Sequence, residues 1–544
     1  MVLSLSLAAI LAATALVFWK FVLSDLLLPS RFNFKSIPGP ESRSWAKGHL
    51  PELLQRQSSD YWRHLADTYG AVSTLRGPLG SWMLYTYDPK ALYTMLIKEV
   101  DNYPKDVAPS SNFMVFLGPG LLTTEGYQHR RQRRLLNPVF SAAHLRHMNL
   151  LFHDISRKVC AAIHQRVANG AQVIDVNGWM ARTTLEMLGQ AGLGYSFDSF
   201  TEDSSDAYGE SMKNFFPVLS RLHFLGFIVT AVSYILSDNA IRVILRHFPH
   251  AETRRMMNIS DTMMRRSQEI IDGKKDALRK GDEALAHQVG EGKDIMSILL
   301  KANMTAMDTE KLTDEEVIAQ MSVLMLAGMD TTSNALSRTL ELLAQNPDTQ
   351  TKLRSEILEA RNGESTIDYD DLVKLPYLDA VCRETLRLYA PVGRLVRHAA
   401  KDVMLPLSKP VRDKNGRMLD AVPVPKGTDI ILDLQGSNYN KELWGEDAHE
   451  WRPERWLSPL PAALDEARLP AVYSNIMSFS GGTRSCIGFK FSQLEMKVVL
   501  SALLAAFEFE LTDKEIVWNS AAVSFPTMGL QSEKPEMLLK VRAV

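Results

Sequence analysis

The stretch Phe479-Ser480-Gly481-Gly482-Thr483-Arg484-Ser485-Cys486-Ile487-Gly488 constrains this chain more than any other. A single cysteine sits in a glycine-rich turn. An arginine lies two residues before it, a glycine two after it and a phenylalanine seven before it. An apolar, helix-like run follows at once: Phe489, Phe491, Leu494, Met496, Val498, Val499 and Leu500. Such a loop-to-helix junction offers the sulfur backbone N–H groups and the positive end of a helix dipole. Both favour a thiolate. A thiolate is what a haem iron requires when the task is splitting an O–O bond. The plainer reading is a small buried cysteine in a turn.

With 544 residues the chain can bury a large core. Lys and Arg total 61 against 63 Asp and Glu, so no net basic field points to nucleic acid. Three cysteines, Cys160, Cys382 and Cys486, make no disulfide framework and suit a reducing compartment. Two sequons, at Asn258 and Asn303, would stay bare in a cytosolic domain. The amino terminus differs from the rest. Val2 to Trp19 is uncharged and mostly apolar, and Lys20, Arg31 and Lys35 follow it. That length is short for a membrane helix, and a cleaved signal peptide is the rival reading. The absence of a basic residue before the apolar run favours a signal anchor with the body of the chain in the cytosol. The expected organisation is therefore a transmembrane anchor over 1–29, a Pro-rich hinge over 30–45 containing Ile37-Pro38-Gly39-Pro40, and a folded body over 46–544.

Most of that body reads as helix. Residues 140–167, 315–343 and 498–507 are amphipathic, and 348–360 follows the start signal Asn346-Pro347. Strand candidates are short: 71–75 and 82–86 flank a Gly-Pro-Leu-Gly turn, and 422–432, broken by Pro423 and by Pro425-Lys426-Gly427, reads as an edge hairpin. The expectation is one large, mainly α domain with small β-sheets. The charged segment 274–293 reads as an exposed loop or a frayed helix pair. The apolar segment 222–236 is either a buried core helix or a helix dipping into the bilayer at the mouth of a channel for a lipophilic substrate.

Three further motifs precede the cysteine. Ala327-Gly328-Met329-Asp330-Thr331-Thr332 places a glycine and β-branched polar residues inside a good helix, where they are locally unfavourable. Local rules tend to fail at functional sites. An acid beside an alcohol can relay protons, although a solvent-facing Asp-Thr-Thr is the simpler account. Glu384-Thr385-Leu386-Arg387 puts opposite charges on one helix face, a pattern that is usually a surface pair. It is followed by Trp451-Arg452-Pro453-Glu454-Arg455-Trp456. The run from Gly126 to Arg134 holds His129 and four arginines, and is either a nucleic-acid patch or a solvated helix face. No G-x-G-x-x-G follows a strand, so electrons for any redox chemistry would come from elsewhere.

In this order the motifs resemble the cytochrome P-450 family from the hinge to the end of the chain. The resemblance implies the cytochrome P-450 fold and the cofactor heme b (iron protoporphyrin IX). It implies Cys486 as the iron ligand, Phe479 packed beside the sulfur, and Gly482 and Gly488 admitting backbone close to the porphyrin. Arg484, Arg133 and Arg397 would hold haem propionates, with Arg394 competing for the last place. His129 stands where the family more often has tryptophan, and keeps an N–H donor. Ala327 and Gly328 would leave room over the iron, and Asp330 and Thr331 match the acid–alcohol pair that delivers protons during oxygen activation. Glu384, Arg387 and Arg455 match a buried charge triad bracing the cysteine loop. The implied partners are NADPH–cytochrome P-450 reductase, cytochrome b5 as an optional second donor, and a lipophilic small molecule. The implied place is the endoplasmic reticulum membrane, with the catalytic domain cytosolic. The chain looks most like fungal microsomal members, many of which decorate terpenoids in secondary metabolism. Other readings within the same fold are a xenobiotic or fatty-acid hydroxylase, an isomerase or dehydratase working without dioxygen, and a haem sensor without turnover. The isomerases and dehydratases often lack the acid–alcohol pair, which argues against that reading here.

Overall fold

Thr313 starts the helix around which the molecule is built. Its hydroxyl accepts the Glu316 N–H while the Glu316 carboxylate accepts its own, a reciprocal cap on a 32-residue helix. The structure, a computed structural model, describes residues 34–105, 112–201, 207–280 and 292–544. The helices framing the site are α1 (Gly126–Leu136), α2 (Ala142–Val167), α3 (Val176–Leu188), α4 (Ala207–Ser220) and α5 (His223–Val232). They continue with α6 (Ala251–Lys280), α7 (Asp314–Gln345), α8 (Pro347–Arg361), α9 (Pro376–Leu388) and α10 (Phe489–Ala506). The capped helix is α7. It packs on α3, α6, α9 and α10, and α10 also packs on α2. One apolar core runs through these helices, and a smaller one lies under the first β-hairpin around Trp62 and Tyr85.

The strands are β1 (Val72–Arg76), β2 (Trp82–Thr86), β3 (Gln172–Asp175), β4 (Arg394–His398), β5 (Val403–Arg412) and β6 (Met418–Val424). After them come β7 (Asp429–Asp433), β8 (Phe507–Leu511), β9 (Ile516–Asn519), β10 (Phe525–Met528) and β11 (Leu538–Ala543). They form four small sheets, in the orders β1-β2-β7-β4, β3-β11-β8, β5-β6 and β9-β10. The mostly helical body with small sheets agrees with the sequence pattern.

Three segments differ from their expectations. Residues 422–432 do not form one edge hairpin. β6 pairs with β5, while β7 enters the interior of the four-stranded sheet. Pro425 lacks an N–H and Gly427 adopts φ 80°, so the chain turns out of one sheet and into the other. The charged run from Lys274 begins inside α6 rather than in a loop, and residues 281–291 lie outside those described. Lys274 is buried and donates to Asp294 Oδ2 at 2.9 Å and Ser297 Oγ at 3.0 Å, so its charge marks a satisfied interior pair. Ile37-Pro38-Gly39-Pro40 lies on the body of the protein. Ile37 is fully buried, and Thr74 N–H donates to Pro38 O at 2.9 Å.

In the apolar segment 222–236, Leu225 and Val229 of α5 are buried in the core. Tyr234 and Ile235, just past its end, are 48% and 61% exposed. The expected anchor over 1–29 lies outside the described residues. Among the described residues no helix is long and apolar enough to cross a membrane.

Candidate active site

The cysteine loop is shaped by backbone that side chains rarely adopt. Ser480 and Gly482 take φ of 55° and 69°, and a Cβ at Gly482 would stand 1.9 Å from Leu96 O. Cys486 N–H donates to Phe479 O at 2.9 Å, closing the loop on itself. The Phe479 ring packs between Tyr473 and Phe489, at 5.7 and 6.1 Å. The Cys486 sulfur is accessible, yet protein surrounds it closely enough for burial to dominate its ionisation, so it faces an internal hollow. Burial pushes the thiol up, against the Gly488 N–H and the Arg133 charge. The Gly488 N–H and the Arg133 charge act toward the thiolate, as expected of a loop-to-helix junction, and burial acts against them.

Behind the loop stands the Glu384 carboxylate, which is fully buried. It accepts from Arg387 Nε and Nη2 at 2.9 and 2.8 Å, Arg455 Nε at 3.3 Å, Trp456 Nε1 at 2.9 Å and Arg452 N at 3.1 Å. Arg387 also donates to Asn438 O at 2.8 Å. Asn438 in turn accepts from Met477 N at 2.8 Å and donates to Ser478 Oγ at 3.0 Å. Met477 and Ser478 lead straight into Phe479. The structure therefore brings Glu384, Arg387 and Arg455 together and joins them to the cysteine loop. Asn438 is the link that sequence reasoning missed, because an asparagine in a six-residue helix carries no distinguishing signal.

Positive charge gathers beside the loop. Arg133 donates through Nη1 to Ser485 O and through Nη2 to Ser485 Oγ at 3.3 Å. Arg484 pairs with Glu125, whose other oxygen is buried without a hydrogen-bond partner. His129 is buried and its pKa falls to about 3. Burial is the main cause, helped by Arg484, Arg133, Lys105 and Arg130, so the ring is neutral. Lys105, which the sequence did not single out, belongs to this group and donates to Leu122 O. A cavity of about 580 Å³ opens here, lined by His129, Arg133, Asn137 and Gly482 among others. Arg397 is 5% exposed and donates to Val396 O at 2.8 Å. Arg394 instead reaches Asp433 at 3.4 Å and lies 4.3 Å over the Trp62 ring, so the two candidates part company.

On α7, Ala327 is exposed although most of the helix around it is buried. Thr331 Oγ1 donates to Ala327 O at 2.7 Å, the back-bonding expected of a threonine inside a helix. Asp330 is 7% exposed. Asn334 Nδ2 donates to Asp330 O at 2.7 Å and to its Oδ1 at 3.3 Å. Burial pushes the Asp330 carboxyl up to about 7, against the Lys213 charge and the Asn334 amide.

Comparison with known proteins fits this geometry. The cytochrome P-450 family profile matches residues 38–539. Ganoderic acid synthetase of Ganoderma lucidum is 57% identical over 547 residues, 99% of each chain. Cytochrome P-450 monooxygenase 91 of Postia placenta is 50% identical over 508 residues, 93% of this chain and 94% of that one. The chain belongs to the cytochrome P-450 monooxygenases.

The residues of this P-450 fit the haem that its family implies. Among the described residues no three His, Cys, Asp or Glu side chains gather to hold a bare metal ion. A lone thiol suits a metal that brings its own ring of ligands. Arg133 bonded to Ser485 and Arg484 two residues before the thiol bring positive charge to the loop, and charge so placed suits a group bearing carboxylates of its own. A Cβ at Gly488 would meet nothing nearer than Phe140 Cε1 at 3.8 Å, so no protein atom forces glycine there and the space fits a bound group. A Cβ at Gly328 would lie 2.8 Å from Leu188 Cδ1, so this glycine also lets α3 approach α7 closely.

A second acid of the P-450 escaped sequence reading. Glu495 of α10 is fully buried, with neither carboxylate oxygen hydrogen-bonded. Burial drives its pKa well above the ordinary carboxylate range, against the Thr332 hydroxyl of α7. Burial favours its protonated form, and a helical glutamate ordinarily reads as surface. Because the folded state holds this proton more tightly than the unfolded state, stability falls as pH rises above the usual glutamate range. Glu495→Gln should keep stability within about 1 kcal/mol at low pH and flatten this slope, as urea denaturation between about pH 5 and 8 would show.

Proposed function

We propose that the chain hydroxylates a lipophilic terpenoid, with electrons from NADPH passed through a separate flavoprotein reductase to heme b. The observation that carries this reading is a lone, cation-flanked thiol facing an interior hollow, in a chain whose α7 holds an accessible Ala327 beside an acid and an alcohol. In the proposed arrangement Cys486 and Ala327 face the same hollow from opposite sides. Bound haem supplies, from dioxygen and two electrons, the oxidant that places one oxygen atom in a C–H bond.

The chain's own residues do the rest. Cys486 lends the iron electron density, and Phe479 shields the sulfur. Arg133, Arg397 and Arg484 neutralise propionates, and neutral His129 offers an N–H. Asp330 and Thr331 deliver protons so that the second oxygen leaves as water. Glu384, Arg387 and Arg455 are structural. The exposed Arg130 and Arg134 suit an acidic reductase, with cytochrome b5 as an optional second donor. In this reading residues 1–29 anchor the chain in the endoplasmic reticulum membrane, and 46–544 form one cytosolic catalytic domain behind the segment 30–45. The terpenoid assignment is supported by the name of the Ganoderma lucidum relative and by the likeness to fungal members.

Membranes carrying the chain and a reductase, fed terpenoids, fatty acids and xenobiotics under labelled dioxygen, test the reading. NADPH-dependent terpenoid products should carry one labelled atom. Oxidation of fatty acids alone, or products without label, would sink it.

Two predictions follow from the proton path. Thr331→Ala should keep the reduced carbon monoxide spectrum yet cut product formation by about a hundredfold, with the electrons recovered as peroxide. Unchanged coupling in that variant refutes the relay. Asp330 titrates at about 7, so the fraction carrying a proton falls as pH rises through that value, and product per NADPH should fall with it. Asp330→Asn should remove this inflection.

A further inference from the structure

Arg338 Nε, Arg394 Nε and His449 Nδ1 are buried without a hydrogen-bond partner among the described residues, and their side chains all line one cavity. That cavity, of about 460 Å³, is distinct from the basic one beside the cysteine loop. Neither Cys486, Ala327 nor Thr331 lines it. The three side chains come from separate elements: α7, β4 and the loop before Trp451. Buried polar groups nearly always find a partner, so three around one space point to a ligand with acceptors.

The acids nearby are already engaged. Glu341 Oε2 accepts from Arg338 Nη1 at 3.0 Å and from Trp518 Nε1 at 2.7 Å, and its Oε1 accepts from Gln345 Nε2 at 3.3 Å. Asp433 accepts from Tyr85 Oη at 2.7 Å and Gly436 N at 3.0 Å, and stands 3.4 Å from Arg394 Nε. The other acids of the lining, Asp60, Asp67 and Glu515, are exposed, so the cavity opens to water on that side. At depth both guanidinium planes are held in place. Arg338 lies between the Trp518 and Tyr389 rings at 4.0 and 4.3 Å, and Arg394 lies 4.3 Å over Trp62. Groups so fixed lose little further freedom when a ligand arrives.

We propose that this cavity binds an organic carboxylate, held by Arg338, Arg394 and His449, with its apolar body against the aromatic lining. A planar guanidinium matches a carboxylate in shape as well as charge. His449 donates in its Nδ1–H tautomer. Glu341 and Asp433 each offset one arginine, so the pocket is short of acceptors more than of negative charge. That favours a monoanion over a phosphate dianion. Burial disfavours the charged forms of Arg338 and His449, and the Arg63 charge adds to this at His449. An anion offsets both effects. The volume suits a small molecule, and the rings of Trp62, Tyr389, Tyr439 and Trp518 suit an apolar body behind the charge.

The test uses haem-loaded full-length protein, with 4-fluorobenzoate as probe, its amide as the neutral match, and inorganic phosphate as the rival anion. Calorimetry and fluorine NMR read binding without turnover. 4-Fluorobenzoate should bind with a Kd of about 1 mM or tighter, and the amide at least about tenfold more weakly. The haem absorption bands should stay where they are. Arg394→Gln and His449→Phe should each weaken benzoate binding about tenfold, with the reduced carbon monoxide spectrum unchanged. Ser524→Trp, which fills the cavity and leaves the three donors in place, should abolish binding and guards against misfolding of the other two. Equal binding of acid and amide, or no binding of either, overturns the proposal, since water then satisfies the three nitrogens. Binding that shifts the haem bands and survives Ser524→Trp places the acid at the haem and overturns it as well. Phosphate binding without benzoate binding refutes the carboxylate assignment.

Discussion

Cys486→Ser should fold, and should lose both the thiolate-type reduced carbon monoxide band and detectable oxygenation. The local structure predicts an intact loop, because the hydrogen bond the loop takes from this residue is its backbone N–H to Phe479 O, which serine keeps. The side-chain volume is close, and the φ values that shape the turn belong to Ser480 and Gly482. What changes is the donor. A serine hydroxyl is far less acidic than a thiol, so it offers the metal a neutral and weakly donating oxygen. Oxygen activation that relies on electron push from sulfur then fails. The measurement is the spectrum of membranes from cells expressing each form, with thermal unfolding of the same preparations as the folding control. A variant that retained the thiolate-type band would remove Cys486 from its assigned role.

The second large effect belongs to Glu384. Five hydrogen bonds converge on its carboxylate, three of them from the two buried guanidinium groups of Arg387 and Arg455. Glu384→Ala leaves Arg387 and Arg455 charged in the interior with their anion gone, although Arg455 keeps Asp447 at 2.8 Å. Loss of one partner of a buried ion pair costs about 3–5 kcal/mol, against about 0–1 for an exposed pair. The expected outcome is a chain that loses haem at markedly lower temperature or fails to accumulate. Because Arg387 is tied through Asn438 to Met477 and Ser478, haem release should precede global unfolding. Arg452→Ala, at an exposed position, is the matched control and should shift stability by about 1 kcal/mol or less. A Glu384→Ala change no larger than that control would mean that the network does not brace the loop.

Much of the architecture was legible because it rests on local period. The repeats that predicted helices at 140–167, 315–343 and 348–360 correspond to α2, α7 and α8, with ends moved by a few residues. The β1–β2 hairpin was marked by its Gly-Pro-Leu-Gly turn. Residues 422–432 were misread because a strand's own residues do not name its partner. β7 is buried between β2 and β4, both earlier in the chain, and β2 lies in its first hundred residues. The start of the charged run at 274 was misread for a related reason. Lys274 looked like surface, and it is neutralised by Asp294 twenty residues on.

The sequence by itself determined the family of this P-450 and the identity of its single candidate iron ligand. The ligand depends on residues within one loop, where spacing along the chain stands in for spacing in space, and the family on that loop and the order of the motifs before it. Only the tertiary structure paired Arg394 with Asp433, added Lys105 to the basic cluster, set Gly328 against Leu188, and showed Glu495 to be a buried acid whose burial favours the protonated form. The physical reason is common to all of these. Charge state and packing depend on how much water is excluded around a group, and that exclusion is made by residues distant in the chain.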